Sequence, residues 1–417
     1  MRILVLKLVL APAIVVTLNL LWILAASADS GVFDDRIVFG QSAALKGPAA
    51  ALGLGMRDGI LAAFHEANAA GGVHGRKLDL ISEDSVNPAT AATKAQRMYD
   101  QDKADILMGE INSASALTIM QVAERNKRFF LQIGARSDAL RGKNCNKYTF
   151  HMDIPNTVMV NAVGQALMRD NMVKGKKFFT LTADYIFGHD LLAAAKRFFG
   201  ANDGNLIGNE LIATDVTDFS PYLLKVRQAN PDIVCCNLAG NQVTNLVKQY
   251  AEFGFKFPLV GFNLNTADAW AAGEGNLAGT WPTVWYHTLD VPASKTFVAD
   301  FTKKYGKPPE NHAWIEYVSM KVMAQAMSEI KDTDNNKLIA HLEKQAEFDI
   351  LKGRKGHFRN WDHQLMQEAY PFTVKAKGQA KDKWDLLALG PAVPGANQPL
   401  ESIAPTREQN PCNLDKA

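Results

Sequence analysis

A guanidinium set among small residues is the first group in this 417-residue chain with chemistry to offer. Arg136 lies in Gly134-Ala135-Arg136-Ser137, directly after the apolar run Phe129–Ile133. Its planar fork suits a carboxylate, which it can hold through charge-assisted hydrogen bonds worth about 1.5–3 kcal/mol. The same sequence leaves open a solvated loop arginine, or one paired with Asp138 or another neighbour. A polar cluster, Asn112-Ser113-Ala114-Ser115, follows a second apolar run, Ile106–Met108, and Gly109. Farther along, Asn237, Asn241 and Asn263 follow the ends of apolar runs and offer amide donors and acceptors. Leu45, Leu52, Tyr185, Phe187 and Trp285-Tyr286-His287 offer an apolar or aromatic wall, with ordinary core packing as the competing role. These groups recognise a molecule; none of them transforms one.

Catalytic and cofactor chemistry find no foothold. No serine stands in a G-x-S-x-G context and no nucleophile–base pair is evident. His65, His74, His189, His287, His312 and His357 are scattered without metal-ligand spacing, and there is no CxxC, so neither a metal site nor a cofactor is expected. Gly53-Leu-Gly-Met-Arg-Asp-Gly59 is not a dinucleotide fingerprint, because its third glycine is off by one and a helical pattern already runs through it.

The elements that would position these residues alternate. Spacing and punctuation predict strands at 37–40, 77–83, 106–108 and 129–133, with helices at 53–70, 88–100 and after Asn112. A second series follows: helices at 156–171, 188–199, 220–229 and 242–253, with strands at 177–182, 204–212, 232–236 and 259–262. Such alternation implies two parallel-sheet α/β layers, with a break near Asp153–Pro155. Both the Asn112 and the Arg136 loops would leave the carboxyl ends of parallel strands, and one feeds a helix N-terminus. Free N–H groups and the helix dipole favour an anion there, so this stretch reads as half of a binding cleft. After residue 280 the rhythm changes to a strand at 281–286, helices at 292–305, 313–330 and 335–346, short strands at 370–376 and 384–389, and an irregular tail. The late helices need a sheet face to cover, and two or three crossings between lobes would form a hinge.

The first residues read as an address. Arg2 and Lys7 precede the apolar run Leu8–Leu24, and Ala26-Ser27-Ala28 supplies the small residues of a cleavage site, so residues 1–28 are expected to be a cleaved signal peptide. Its removal takes two basic residues and no acidic one, and the formal charge falls from +2 to zero. A neutral chain argues against nucleic acid as a partner. Of the four cysteines, Cys235 and Cys236 lie in the apolar run 232–236 and read as core residues pointing to opposite faces of a strand. Cys145 and Cys412 lie in polar, loop-like contexts. In an oxidising compartment they are expected to form a disulfide tying the C-terminal tail to the first lobe.

Several segments carry a family resemblance. Ile37-Val-Phe-Gly40, Leu45-Lys-Gly-Pro48 and the helix ending in NAAGGVHGRKLDL look like the opening of type I periplasmic substrate-binding proteins, in the Leu/Ile/Val-binding branch that serves ABC importers. TADYIFGHD (182–190), DFSPYLLKVRQANPDIVCCNLAG (218–240) and FTKKYGKPPENHAWIEYVSMKVMAQAM (301–327) resemble the same branch, so the likeness runs from about Arg36 to Pro391. It implies an α/β fold of two doubly wound parallel-sheet lobes joined by a three-strand hinge. Lobe 1 would be 36–154 plus 288–363, lobe 2 would be 155–287 plus 364–390, and 391–417 a tail. It also implies a periplasmic monomer, not an enzyme, that closes on a small solute and delivers it to an inner-membrane permease. A sensory ligand-binding component using the same cleft is the alternative.

The resemblance assigns Ser113, Gly134, Ala135 and Arg136 to the loops that hold a ligand carboxylate, with Arg136 in place of a family threonine. It places the acidic partner of a ligand ammonium near Asn263, and His312 near the hinge side of the cleft. An amide cannot neutralise a buried cation, so a zwitterionic amino acid is disfavoured if that correspondence holds. A small carboxylate or a polar neutral compound fits at least as well as leucine.

Overall fold

The computed structural model describes residues 31–415; the expected signal peptide lies outside the described residues. From the first described residues the chain builds β1 (Arg36–Ala43), α1 (Ala50–Ala69), β2 (Lys77–Asp84), α2 (Pro88–Asp100), β3 (Ile106–Gly109), α3 (Ser113–Asn126), β4 (Phe130–Gln132), a one-turn α4 (Asp138–Arg141) and β5 (Thr149–His151). The five strands form one parallel sheet in the order β2-β1-β3-β4-β5. Side chains alternate across it, as the period of a strand requires. Ile37, Phe39, Ile106 and Met108 enter one apolar core, while Val38, Leu107 and Phe130 enter another beneath α2 and α3.

The second unit begins with α5 (Asn156–Arg169), β6 (Lys177–Ala183), α6 (Ile186–Ala201), β7 (Asn205–Ile212), α7 (Ser220–Ala229), β8 (Ile233–Asn237), α8 (Asn241–Glu252), β9 (Leu259–Gly261), α9 (Thr266–Ala272) and β10 (Thr280–Thr283). Helices α10 (Pro292–Tyr305), α11 (Asn311–Ile330) and α12 (Asn335–Leu342) then return to cover the first sheet, where Phe297, Trp314 and Leu338 join its core. Trp285, on the way back, stacks on Trp314 with ring centroids 5.8 Å apart. A small hairpin, β11 (His357–Phe358) and β12 (Leu365–Met366), precedes β13 (Tyr370–Val374) and β14 (Leu387–Leu389).

The second sheet runs β14-β13-β10-β9-β8-β6-β7. Its first-formed strands are parallel, but β13 pairs antiparallel with both β10 and β14, so this sheet is mixed rather than wholly parallel. β13 enters from the hinge side after the lobe-1 hairpin and runs against β10, and the chain then folds back through residues 375–386 to lay β14 antiparallel beside it. Phe178, Ile233 and Cys235 face one core of this lobe, and Phe179, Val234 and Cys236 face the other. The chain crosses between lobes after β5, after β10 and after β12. The tail makes a fourth passage, returning Val393 and Ile403 to the first lobe's core.

Some elements differ from the sequence reading. The strand expected at 281–286 ends at Thr283, whose hydroxyl bonds the carbonyl of Trp285 at 2.8 Å and turns the chain out of the sheet. Strand β1 continues through Gln41 and Ser42 to Ala43, beyond the strand expected at 37–40; both residues are buried and hydrogen-bonded to Ser82, Glu316 and Glu110. Helix α9 and strand β5 have no counterpart in the sequence reading, because each is too short to show a period. The expected disulfide is present: Cys145 and Cys412 are bonded, 267 residues apart in sequence.

Candidate solute-binding cleft

Both sheets turn the carboxyl ends of their strands toward a common cleft. In the first sheet, successive connections leave β1 in opposite directions, to β2 on one side and β3 on the other; β6 plays the same part between β7 and β8. An open α/β sheet exposes a crevice at such a switch point. Here the two crevices face one another around a cavity of about 420 Å³, a size suited to a small organic molecule. Seven helices begin at its wall, represented by Ala49, Pro88, Asn112, Phe187, Gly240, Asn265 and His312. Their N-terminal amides give the interior a positive bias.

Arg136 bridges the lobes at the floor. Only 4% exposed, it donates from Nε to Asp153 Oδ2 at 2.7 Å, and from Nη1 to the side-chain oxygens of Asn263 and, at 3.1 Å, Asn265. Of the alternatives left open by sequence, the ion pair with a neighbour is therefore realised, with Asp153 rather than Asp138. Nη2 has no hydrogen-bond partner among the described residues. Beneath this loop Arg141 fans out to the carbonyls of Ala135, Ser137 and Asp153, at 2.8, 3.1 and 2.9 Å. Burial lowers its pKa to about 10, so it stays charged at neutral pH and fixes the loop backbone.

His312 opens α11 and is 1% exposed. Its Nδ1 lies 3.2 Å from Glu310 Oε2, while its buried Nε2 has no hydrogen-bond partner. Glu310 is the N-cap, accepting the amides of His312 and Ala313 at 2.8 and 2.7 Å. A Cβ on Gly134 would come within 3.3 Å of the His312 ring, so the glycine lets the imidazole lie against the loop. Glu110 plays a similar part after β3: it accepts from Ile111 N, Asn112 N and Ser42 Oγ, and burial raises its pKa.

Other contacts join the lobes beside the cavity. Asp190 of α6 accepts from Ser137 Oγ and, at 3.1 Å, from Ala139 N at the start of α4. Asp138 accepts from Thr157 Oγ1 at 2.6 Å, and burial together with the nearby Asp190 raises its pKa to about 6. Asn311 Oδ1 accepts the amide of Thr266 at 2.9 Å, joining the starts of α11 and α9.

Gly134, Arg136, Tyr185, Phe187, Asn263 and His312 line the cavity together. Leu45, Ser113, Ala135 and Asn237 do not. Leu45 is flanked by the lining residues Ala44 and Lys46, and its amide is bonded to Asp84. Ser113 lies behind the Arg136 loop, its Oγ accepting from Ser137 N at 3.3 Å, and Ala135 is fully buried with its carbonyl on Arg141. Asn237 is buried within the sheet and donates to Thr182 Oγ1 at 3.2 Å. Trp285 and Tyr286 are core residues. Sequence reasoning missed Asn265, Lys46, Asn87, Asp215 and Gln242 on the wall, and Glu110, Asp153 and Arg141 behind it. For Asn265 a signal existed: Asn-Thr-Ala-Asp is a helix-start pattern, overlooked because the helix it opens is so short.

A family model described as "Periplasmic binding protein" matches residues 36–379. The chain belongs to the periplasmic binding proteins. Their members are solute-binding proteins of the periplasm, not enzymes. The Leu/Ile/Val-binding protein homolog 4 of Brucella melitensis is 26% identical over 308 residues, covering 69% of this chain and 71% of its own. A periplasmic binding protein from Burkholderia mallei, known by its crystal structure, superposes with a TM-score of 0.83 at 28% identity, covering 92% of this chain and 100% of its own. A branched-chain amino acid ABC transporter periplasmic ligand-binding protein from Burkholderia xenovorans LB400 shares the fold, with a TM-score of 0.79 at 24% identity and coverage of 91% and 99%.

Proposed function

We propose that this protein captures a small organic solute (amino acid-like, carboxylate or amide) between its two lobes and delivers it to the permease of an ABC importer. One observation carries the reading: a cavity of about 420 Å³ lies at the carboxyl ends of both sheets and is lined from both lobes. A solute seated there touches Gly134, Arg136 and His312 on one side and Tyr185, Phe187 and Asn263 on the other, so binding and closure are one event. The Leu/Ile/Val-binding names of the Brucella relatives agree with this role. Export through cleavage after Ala28, with a mature monomer meeting its permease at the inner membrane, completes the reading.

The test is a thermal-shift screen of the mature chain, refolded to strip any co-purified solute. The panel holds branched-chain amino acids, aliphatic and aromatic carboxylates, and short amides. A solute at one hundred times its dissociation constant adds about 2.7 kcal/mol of stability, which is readily seen. Small-angle scattering at saturation is expected to show compaction. Lack of stabilisation by any panel member, or stabilisation without compaction, counts against solute capture by closure.

A further inference from the structure

We propose that the solute taken by this cleft is a carboxylate with an apolar body and no ammonium group, because Arg136 already occupies the acceptors that a buried ammonium would need. The inference rests on the solute-capture reading above and narrows it to a chemical class.

The acceptors are committed by their own partners. Asn263 Nδ2 donates to the carbonyl of Leu238, and Asn265 Nδ2 donates to Asp268 Oδ2, both at 3.1 Å. With their amino groups so held, both amide oxygens point at Arg136 Nη1. The carboxylates around the cavity are spent as well. Asp153 takes Arg136 Nε, and Glu110 and Glu310 are filled by loop and helix amides. The acidic residue on the cavity wall itself is Asp215, which is exposed at the rim. An ammonium drawn inside would therefore lie beside a fixed guanidinium with no carboxylate on the inner wall to pair it, an arrangement that burial makes costly.

An anion meets the opposite environment. Arg136 Nη2 is without a partner among the described residues, and His312 Nε2 is buried without one on the same cavity. The helix N-termini around them add amide dipoles of the same sign. A carboxylate accepts from Arg136 Nη2 and faces those amides, and it accepts from His312 Nε2 in the tautomer whose Nδ1 accepts from Asn311 Nδ2 at 3.3 Å. The rest of the wall, with Leu52, Ile111, Tyr185 and Phe187, suits an apolar or aromatic body.

The experiment compares matched series by calorimetric titration of the mature chain at pH 7.5: 4-methylpentanoate, leucine and 4-methylpentanamide, then 3-phenylpropanoate, phenylalanine and 3-phenylpropanamide. The expected result is that at least one acid binds tenfold or more tighter than both its amino-acid and its amide counterpart. Arg136→Gln is expected to erase that preference, and Arg136→Lys, which keeps the charge beside Asp153, to retain part of it. The wild-type comparison stands even if either variant misfolds. Binding of the amino acid, or of the amide, as tightly as the acid overturns the inference while leaving solute capture intact. Silence from all six compounds, together with silence in the wider screen, overturns both.

Discussion

Two buried groups at the level of single residues set expectations that can be measured. Asp153 is the counter-charge of Arg136, and both are within 4% of full burial. Replacing one partner of such a pair strands the other charge, at a cost of about 3–5 kcal/mol. Asp153→Asn keeps the acceptor for Ile154 N but removes the charge and turns an amide NH2 toward Arg136 Nε, so chemical denaturation is expected to show a loss of that order. Glu316 is fully buried, with Oε1 held by Gln41 Nε2 at 2.7 Å and Oε2 unpartnered, and burial pushes its pKa to about 8. A carboxyl raised in the folded state contributes stability that is complete below its ordinary pKa and is lost as pH rises through the folded value. The wild type is therefore expected to lose stability relative to Glu316→Gln between about pH 5 and pH 8, in denaturant titrations repeated across that range. Parallel pH profiles for the two proteins would show that Glu316 does not titrate in this window.

The contact between α1 and α11 governs the cleft at the level of elements. The glycine run that sequence excluded as a nucleotide fingerprint has a packing role instead. A Cβ on Gly59 would lie 2.2 Å from the carbonyl oxygen of Ala313, and one on Gly55 would lie 2.0 Å from Glu310 Oε1. The first obstacle is backbone and cannot swing aside. Gly59→Ala is expected to push α11 away and cost about 1–3 kcal/mol of stability. Because Ala313 adjoins His312, solute affinity should fall with it; an unchanged affinity in a destabilised variant would separate the helix contact from the site. The same scale explains which elements were legible. Helices α2, α7 and α10 begin and end where periodicity and punctuation place them, and each carries proline in its first turn. Helix α9 and strands β5, β11 and β12 are too short to carry a period, and their positions follow from the partners they pack on.

The tail acts on the whole molecule as a strap over the hinge. Val393 pairs with Ala369, Arg354 holds the carbonyls of Pro394 and Gln398, Asn161 of α5 holds Ile403, and Arg359 holds Pro405. The Cys145–Cys412 bond fastens its end to the first lobe. Reduction is expected to lower stability by about 2–5 kcal/mol, the usual range for a native disulfide. Alkylation and mass spectrometry should then show two reactive thiols in the reduced native protein and four only after unfolding. Cys235 and Cys236 are buried, and burial raises both thiols, Cys236 to about 12. Rapid labelling of all four in the native state would contradict this packing.

Sequence by itself determined the alternation of strands and helices, the opposite facing of Cys235 and Cys236 and the two loops of the first lobe that reach the cleft; it suggested the disulfide, whose pairing the structure establishes. The first three are local: a two-residue or 3.6-residue period, or a glycine break. Tertiary structure decided what Arg136 does. Its partners come from 17, 127 and 129 residues away, two of them on the opposite lobe, and no spacing rule joins such positions. It also decided that Ser113, Ala135 and Asn237 stand behind the wall while Asn265 stands on it. A strand end brings a residue to the cleft, but which side chain faces the solute depends on how the two lobes meet.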